Sequence, residues 1–252
     1  MSKKFIVIIM LVFLIIPQTA GAMPIFNRRG NVVALTYHKL SENPLEWGDY
    51  CIPPYMFESD IEYLKSEGYT FLTAGELAEI SADNKGRIAV LTFDDGYESD
   101  IKYAVPIIKK CGAKATFFII GSAVGSDGYL TEQQIFQMSK EQCVEIGSHS
   151  DKLHFKSYGE LSAMYDDIRC EDEIISDYKN NDNLIYKITG KKPSALSYPN
   201  GINSKRIDGK LKECGKKVTF STAETTFSGI EKNIPVGRRN RSCQRDIKNI
   251  LR

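Results

Sequence analysis

The chain has 252 residues and a formal net charge of +1, with 33 Lys and Arg set against 32 Asp and Glu. That balance argues against a nucleic-acid partner, which selects a strongly basic surface. The length suits one domain with a full hydrophobic core.

Residues 1–22 read as an export signal and not as part of the fold. Lys3 and Lys4 form a positive n-region, Phe5 to Ile16 are an unbroken apolar stretch, and Ala20-Gly21-Ala22 offers a small-x-small cleavage site. The apolar stretch is short of the ~20 residues that cross a bilayer. The expected mature chain starts at Met23, is secreted or periplasmic, and keeps no stable membrane insertion after cleavage. An uncleaved anchor is the alternative.

From there the pattern alternates. Strands are expected at residues 32–37, 88–93, 115–120, 144–148, 195–198 and 218–222. Helical periodicity falls at 56–67, 74–81, 99–111, 131–139, 158–189 with a break, and 204–214. Near-continuous apolar strands separated by helices mean a mainly parallel, covered sheet. Six or seven such units in about 230 residues fit a barrel, or an incompletely closed one, better than two domains. Residues 23–252 therefore form a single α/β domain. The segment 41–55, with Pro44, Pro53, Pro54 and the sole tryptophan, Trp47, reads as a long functional loop.

Six cysteines, Cys51, Cys111, Cys143, Cys170, Cys214 and Cys243, include no C-x-x-C pair, which argues against a structural zinc site. In an oxidising compartment at least one disulfide is expected. Buried free thiols are the competing reading.

The densest chemistry lies at the ends of the predicted strands. Thr92-Phe93-Asp94-Asp95-Gly96 closes an apolar strand with two carboxylates, which are costly there unless a metal or a reaction needs them. The chain has three histidines, His38, His149 and His154, and each follows a predicted strand. In a parallel α/β fold, the C-terminal strand ends are where active sites are built. Two imidazoles and one carboxylate make a catalytic metal set with a position open for water. A second carboxylate supplies a base and a third imidazole an acid for a departing amine. Adjacent aspartates are poorly placed to flank a glycosidic bond, which disfavours a glycosidase.

Four stretches in order resemble the polysaccharide deacetylases with a NodB-homology domain, carbohydrate esterase family four. They are Thr92-Phe-Asp-Asp-Gly-Tyr97, Lys114-Ala-Thr-Phe-Phe118, Glu145-Ile-Gly-Ser-His-Ser150 with His154, and Tyr198-Pro-Asn-Gly201. The resemblance implies a deformed, incompletely closed (β/α)7-type barrel. It also implies a metal held by Asp95, His149 and His154, Asp94 as base, and the Tyr198 backbone N–H in an oxyanion hole. The ion would be Zn2+, with Co2+ or Ni2+ also suited to the donors. The expected substrate is an N-acetylated glycan, which Trp47, Tyr97 and Tyr198 are candidates to bind.

Two departures narrow the likeness. The two histidines of the metal motif are one residue further apart than the family's common spacing, and no histidine follows His154. The early Leu35-Thr-Tyr-His38 instead resembles the poly-β-1,6-N-acetylglucosamine deacetylases, in which the acid is permuted to the N-terminal side. That likeness assigns the acid to His38. The family's Arg before the Pro-Tyr-Gly-like motif is also missing, since Leu196 and Ser197 stand there. Arg238 or Arg239 is the candidate to orient Asp94 in its place. The alternatives are a carbohydrate-binding module of the same fold without turnover, and a non-haem iron oxygenase. Which glycan is deacetylated, and the oligomeric state, stay open at this point.

Overall fold

A computed structural model describes residues 32–80, 86–224 and 234–251. The export signal and its cleavage site lie outside the described residues. In chain order the strands are β1 (Val32–Tyr37), β2 (Lys39–Leu40), β3 (Cys51–Ile52), β4 (Tyr69–Phe71), β5 (Arg87–Phe93), β6 (Ala115–Ile119), β7 (Val144–Ser148), β8 (Ala195–Ser197), β9 (Val218–Ser221), β10 (Val236–Gly237) and β11 (Arg239–Asn240). The α-helices are α1 (Pro54–Ser66), α2 (Ala74–Ala78), α3 (Val105–Cys111), α4 (Glu132–Met138), α5 (Tyr158–Asp166), α6 (Glu171–Thr189), α7 (Lys205–Glu213) and α8 (Ile247–Ile250).

All strands of the main sheet pair in parallel, in the order β10-β9-β8-β7-β6-β5-β1-β11, with β4 also on β5. The two outer strands of that order are consecutive in sequence and separated by Arg238 alone. β10 adds to β9 at one edge, while β11 adds to β1 at the other. A single segment therefore bridges the two edges, and the sheet closes into a barrel with one unsealed seam. This is the deformed, incompletely closed barrel expected above.

Side chains alternate across the sheet as the two-residue strand period requires. Ile88 and Val90 of β5 join Val32, Ala34, Phe118, Val218 and Phe220 in one core. Ala89, Leu91 and Phe93 join the core shared with α1 and α3, through Phe57, Ile61 and Ile108. A third core holds α5, α6 and α7 through Leu161, Tyr178 and Leu211. Both faces of the strands are thus covered, which is why they read as unbroken apolar runs.

Helix starts follow local chemistry. Thr73 with Glu76, Thr131 with Gln134, and Ser157 with Glu160 each form a reciprocal capping box. The long helical pattern from Tyr158 breaks at Asp167, whose ψ of 117° is extended and whose side chain accepts the Arg169 N–H. The helix expected from residue 99 opens instead with a π-helical segment, Asp100–Ala104, ahead of α3. Residues 41–55 are less loop-like than expected, for β3 lies within them and pairs with β2 just ahead of them. The expected disulfide is not formed, since all six cysteines are free, with Cys51 and Cys111 buried. Among the described residues no helix is long and apolar enough to cross a membrane.

Candidate metal centre and cleft

The strand ends converge on a cleft of ≈ 590 Å³ that contains His38, Asp94, Asp95, His149, His154 and Arg238. All three histidines and both aspartates predicted from sequence are brought together there.

Asp95, His149 and His154 offer ligand atoms that all lie within 4.8 Å of one another. Asp95 Oδ1 is 3.1 Å from His154 Nε2 and 3.5 Å from His149 Nε2. His149 Nδ1 sits 2.8 Å from the Ser197 carbonyl oxygen, which can only accept. Nδ1 therefore carries the hydrogen, and Nε2 turns its lone pair toward Asp95. Asp95 Oδ1 is buried without a hydrogen-bond partner. Burial works against a charge on His149, but Asp94 and Asp95 outweigh it and raise its pKa above the ordinary value. Positive charge is thus favoured where these atoms meet. A buried orphan carboxylate oxygen facing two imidazole nitrogens fits a divalent cation of the nitrogen- and oxygen-binding kind.

Asp94 stands beside this set, with its Oδ2 3.8 Å from His149 Nε2. It is held by Arg238, whose Nη1 and Nη2 donate to Oδ1 and Oδ2, each at 2.7 Å. Nη1 also donates to Thr92 Oγ1 at 2.9 Å and Nη2 to Ser197 Oγ at 2.7 Å. Ser197 Oγ in turn donates to Asp94 Oδ2 at 3.1 Å. The guanidinium is 5.6 Å from the Phe118 ring centroid and 5.7 Å from that of Phe220. Burial alone would raise the Asp94 carboxyl, but Arg238 and His149 outweigh it and hold the pKa at about 2. Arg239 is not part of this arrangement, because its side chain turns to the Ile250 carbonyl. Of the two arginines considered from sequence, the seam residue is the one in place.

His38 follows β1 and lines the cleft, with its ring edge-on to Tyr50 at 4.8 Å. Its Nδ1 is buried without a partner. Burial lowers its pKa from the usual value, against the pull of Asp94 and Asp95.

Three sequence expectations need correction or refinement. The Tyr198 N–H donates to the Phe220 carbonyl at 3.0 Å as part of the β8–β9 ladder, so it is not free to bind an oxyanion. Tyr198 does line the cleft, but its hydroxyl is committed, donating to buried Asp208 at 2.8 Å. Trp47 does not line the cleft; its Nε1–H donates to the Ser41 carbonyl at 2.7 Å and closes its own loop. Tyr50, three residues after Trp47 and directly before β3, reaches the cleft instead. Tyr97 does line it, stacked on Tyr129 at 5.1 Å.

Sequence reading missed Ser197, Tyr50 and Asn200. Asn200 lines the cleft, and among the described residues nothing accepts from its N–H. It has a φ of +54°, and among the described residues the other non-glycine positions with positive φ are Asp95 at +80° and Ser150 at +72°. All three border the site, where strained backbone is characteristically concentrated. Gly201 beside Asn200 is obligatory, since a Cβ there would meet Thr222 Oγ1 at 2.2 Å.

A family model described as polysaccharide deacetylase matches residues 81–219. YxkH of Bacillus subtilis, whose name places it among the polysaccharide deacetylases, is 30% identical over 200 residues. The match covers 77% of this chain and 64% of YxkH, so the chain spans under two thirds of that relative's length. A Staphylococcus aureus poly-β-1,6-N-acetyl-D-glucosamine N-deacetylase is 26% identical, over 88% of this chain and 87% of its own. Among solved structures, IcaB from Ammonifex degensii superposes with a TM-score of 0.76 at 23% identity, covering 88% of this chain and 95% of that one. The Streptococcus pyogenes deacetylase PplD superposes at 0.72 and 23% identity, covering 87% and 96%.

Proposed function

The chain belongs to the polysaccharide deacetylase family, and from that premise we propose that it hydrolyses N-acetyl groups on an extracytoplasmic polysaccharide containing N-acetylglucosamine. The observation that carries this reading is the convergence of Asp95, His149 and His154 beside an Arg238-clamped Asp94, with His38 on the same cleft. The near full-length similarity to the S. aureus enzyme supports poly-β-1,6-N-acetylglucosamine as the first glycan to try.

Asp95, His149 and His154 would hold the ion, with zinc first among the candidates. When bound, such an ion supplies Lewis-acid polarisation of the amide carbonyl and lowers the pKa of a water toward ~7. Asp94 takes the proton of the attacking water, and its low pKa keeps it ionised for that task at neutral pH. Arg238 fixes both carboxylate oxygens, so that Asp94 cannot turn away from the cleft. The Asn200 N–H, which has no acceptor among the described residues, stabilises the developing oxyanion in place of Tyr198. His38 protonates the departing amine. Tyr50 and Tyr97 offer ring faces to the sugar.

A binding module without turnover is motivated by the absent arginine before the Pro-Asn-Gly motif and by Asn200 within it; Arg238 on Asp94 answers the first of these. The test is acetate release by the full chain from a panel of N-acetylated glycans, with and without chelator. Release that stops with chelator and returns with zinc is expected. A folded, zinc-loaded protein that binds these glycans but releases no acetate from any would overturn the reading in favour of the binding module.

A further inference from the structure

His149 and His154 are held in different ways. His149 continues β7, its N–H donates to the Ile119 carbonyl at 2.9 Å, and its ring is fixed on Ser197. His154 stands at the far end of the loop Ser150-Asp151-Lys152-Leu153, and its own N–H donates to Ser150 Oγ at 3.2 Å. The position of its ring therefore depends on the shape of that loop.

The loop is shaped from outside itself. The Asp177 carboxylate on α6 accepts the Asp151 N–H at Oδ1 and the Lys152 N–H at Oδ2, both at 2.8 Å. One helical turn further on, Asn181 Nδ2 donates to the Ile119 carbonyl at 2.7 Å and to Ser148 Oγ at 3.0 Å. These bonds tie the same helix to the strand ends from which the loop springs. On its other side the loop meets Gly121 and Ser122, whose N–H groups donate to the Ser150 and Asp151 carbonyls at 3.0 and 3.2 Å. Gly121 leaves room for this approach, since a Cβ there would meet Asn181 Oδ1 at 2.7 Å and Asp151 Oδ1 at 2.8 Å.

We propose that Asp177 is a positioning residue for the metal centre and acts through His154; this rests on reading Asp95, His149 and His154 as the ligands. Two charge-assisted hydrogen bonds to consecutive N–H groups fix the curvature of the loop directly after the positive φ of Ser150. They also satisfy two donors that have no strand or helix to enter. A ligand carried on such a loop reaches the ion only if the loop holds its shape, and groups behind the ligands commonly set affinity for that reason.

The experiment titrates zinc into the metal-free full chain against a chromophoric chelator, well below the thermal midpoint so that only folded protein is measured. Asp177→Ala should weaken zinc binding by about 10–100-fold. Asp177→Asn, which keeps the size but offers one acceptor oxygen, should lose less, and it gives the answer should the alanine variant fail to fold. In a His154→Ala background the same Asp177 change should cost under about threefold, because the group through which it acts is gone. Equal losses in the two backgrounds would make Asp177 a general stabiliser and overturn the proposal. Normal zinc binding by wild type and by both Asp177 variants would overturn this inference alone. A wild-type protein that binds no zinc would overturn the ligand assignment and this inference with it.

Discussion

Arg238 and Asp94 meet through two parallel hydrogen bonds of 2.7 Å although 144 positions separate them. The contact exists because Arg238 is the single residue between β10 and β11, where the chain crosses the barrel seam. Both partners are buried, at 2% and 4% exposure. Removing one member of such a pair strands the other charge and typically costs about 3–5 kcal/mol.

Arg238→Lys tests the clamp with less damage than alanine. Lysine keeps the charge but lacks the fork that engages both carboxylate oxygens. We expect metal content to be retained and kcat to fall by about 10²-fold, the order of loss that misplacing a reacting group brings. The pH profile supplies the sign. Asp94 must be ionised to act, so activity is lost as pH falls through its pKa, now about 2. A weaker clamp leaves burial less opposed and raises that pKa, which moves the acidic limb of kcat/KM to higher pH. An unmoved limb with near-normal kcat would show that Asp94 does not depend on Arg238.

Asp94→Asn removes the proton acceptor while keeping the shape. The zinc content should stay stoichiometric, and the rate should drop by about 10²–10⁴-fold. Turnover within a few-fold of wild type would show that the attacking water needs no such base.

His149→Ala and His154→Ala should each remove most of the bound zinc, because three convergent donors become two. Metal analysis of the purified variants decides this. Stoichiometric zinc in both would sink the ligand set. Full zinc with activity alone lost would place the histidines on the substrate instead.

What was legible in the sequence follows from which interactions are local. The six principal strands fall within a residue or two of their expected ends, because burial on both faces leaves unbroken apolar runs such as Ile88 to Phe93. His38, Asp94, Asp95 and His149 were legible because they follow those runs directly, and His154 because it lies five residues beyond His149. β10 and β11 were not, being two residues each, too short to carry a period, and placed by pairing with the edges they join. The choice between Arg238 and Arg239 was unreadable for the same reason, since it depends on which residue falls at the seam. Tyr198 misled because a motif's backbone donor cannot be told from sequence to be already committed, here to Phe220. Trp47 misled because an aromatic on a loop near a site can as well close the loop as face the substrate.

His38 carries the sharpest expectation, because no histidine after His154 exists to take its role. As a mere strand-end residue it would be dispensable, and its partnerless buried Nδ1 gives the fold nothing to lose. As the acid, it must carry a proton when the amine departs. His38→Ala should then keep its zinc and its fold while kcat falls by about 10²-fold or more. The pH dependence separates the two cases further. An acid is lost as pH rises through its pKa, so His38 sets an alkaline limb. Burial pulls that pKa down, Asp94 and Asp95 pull it up, and the net direction is downward. The alkaline limb of wild-type kcat/KM should therefore start below the ordinary imidazole value of about 6.5, and it should vanish in His38→Ala. Near-normal kcat in a zinc-replete variant, or an alkaline limb unchanged by the substitution, would take the acid's role from His38. It would also remove the feature that most closely ties this chain to the poly-N-acetylglucosamine deacetylases.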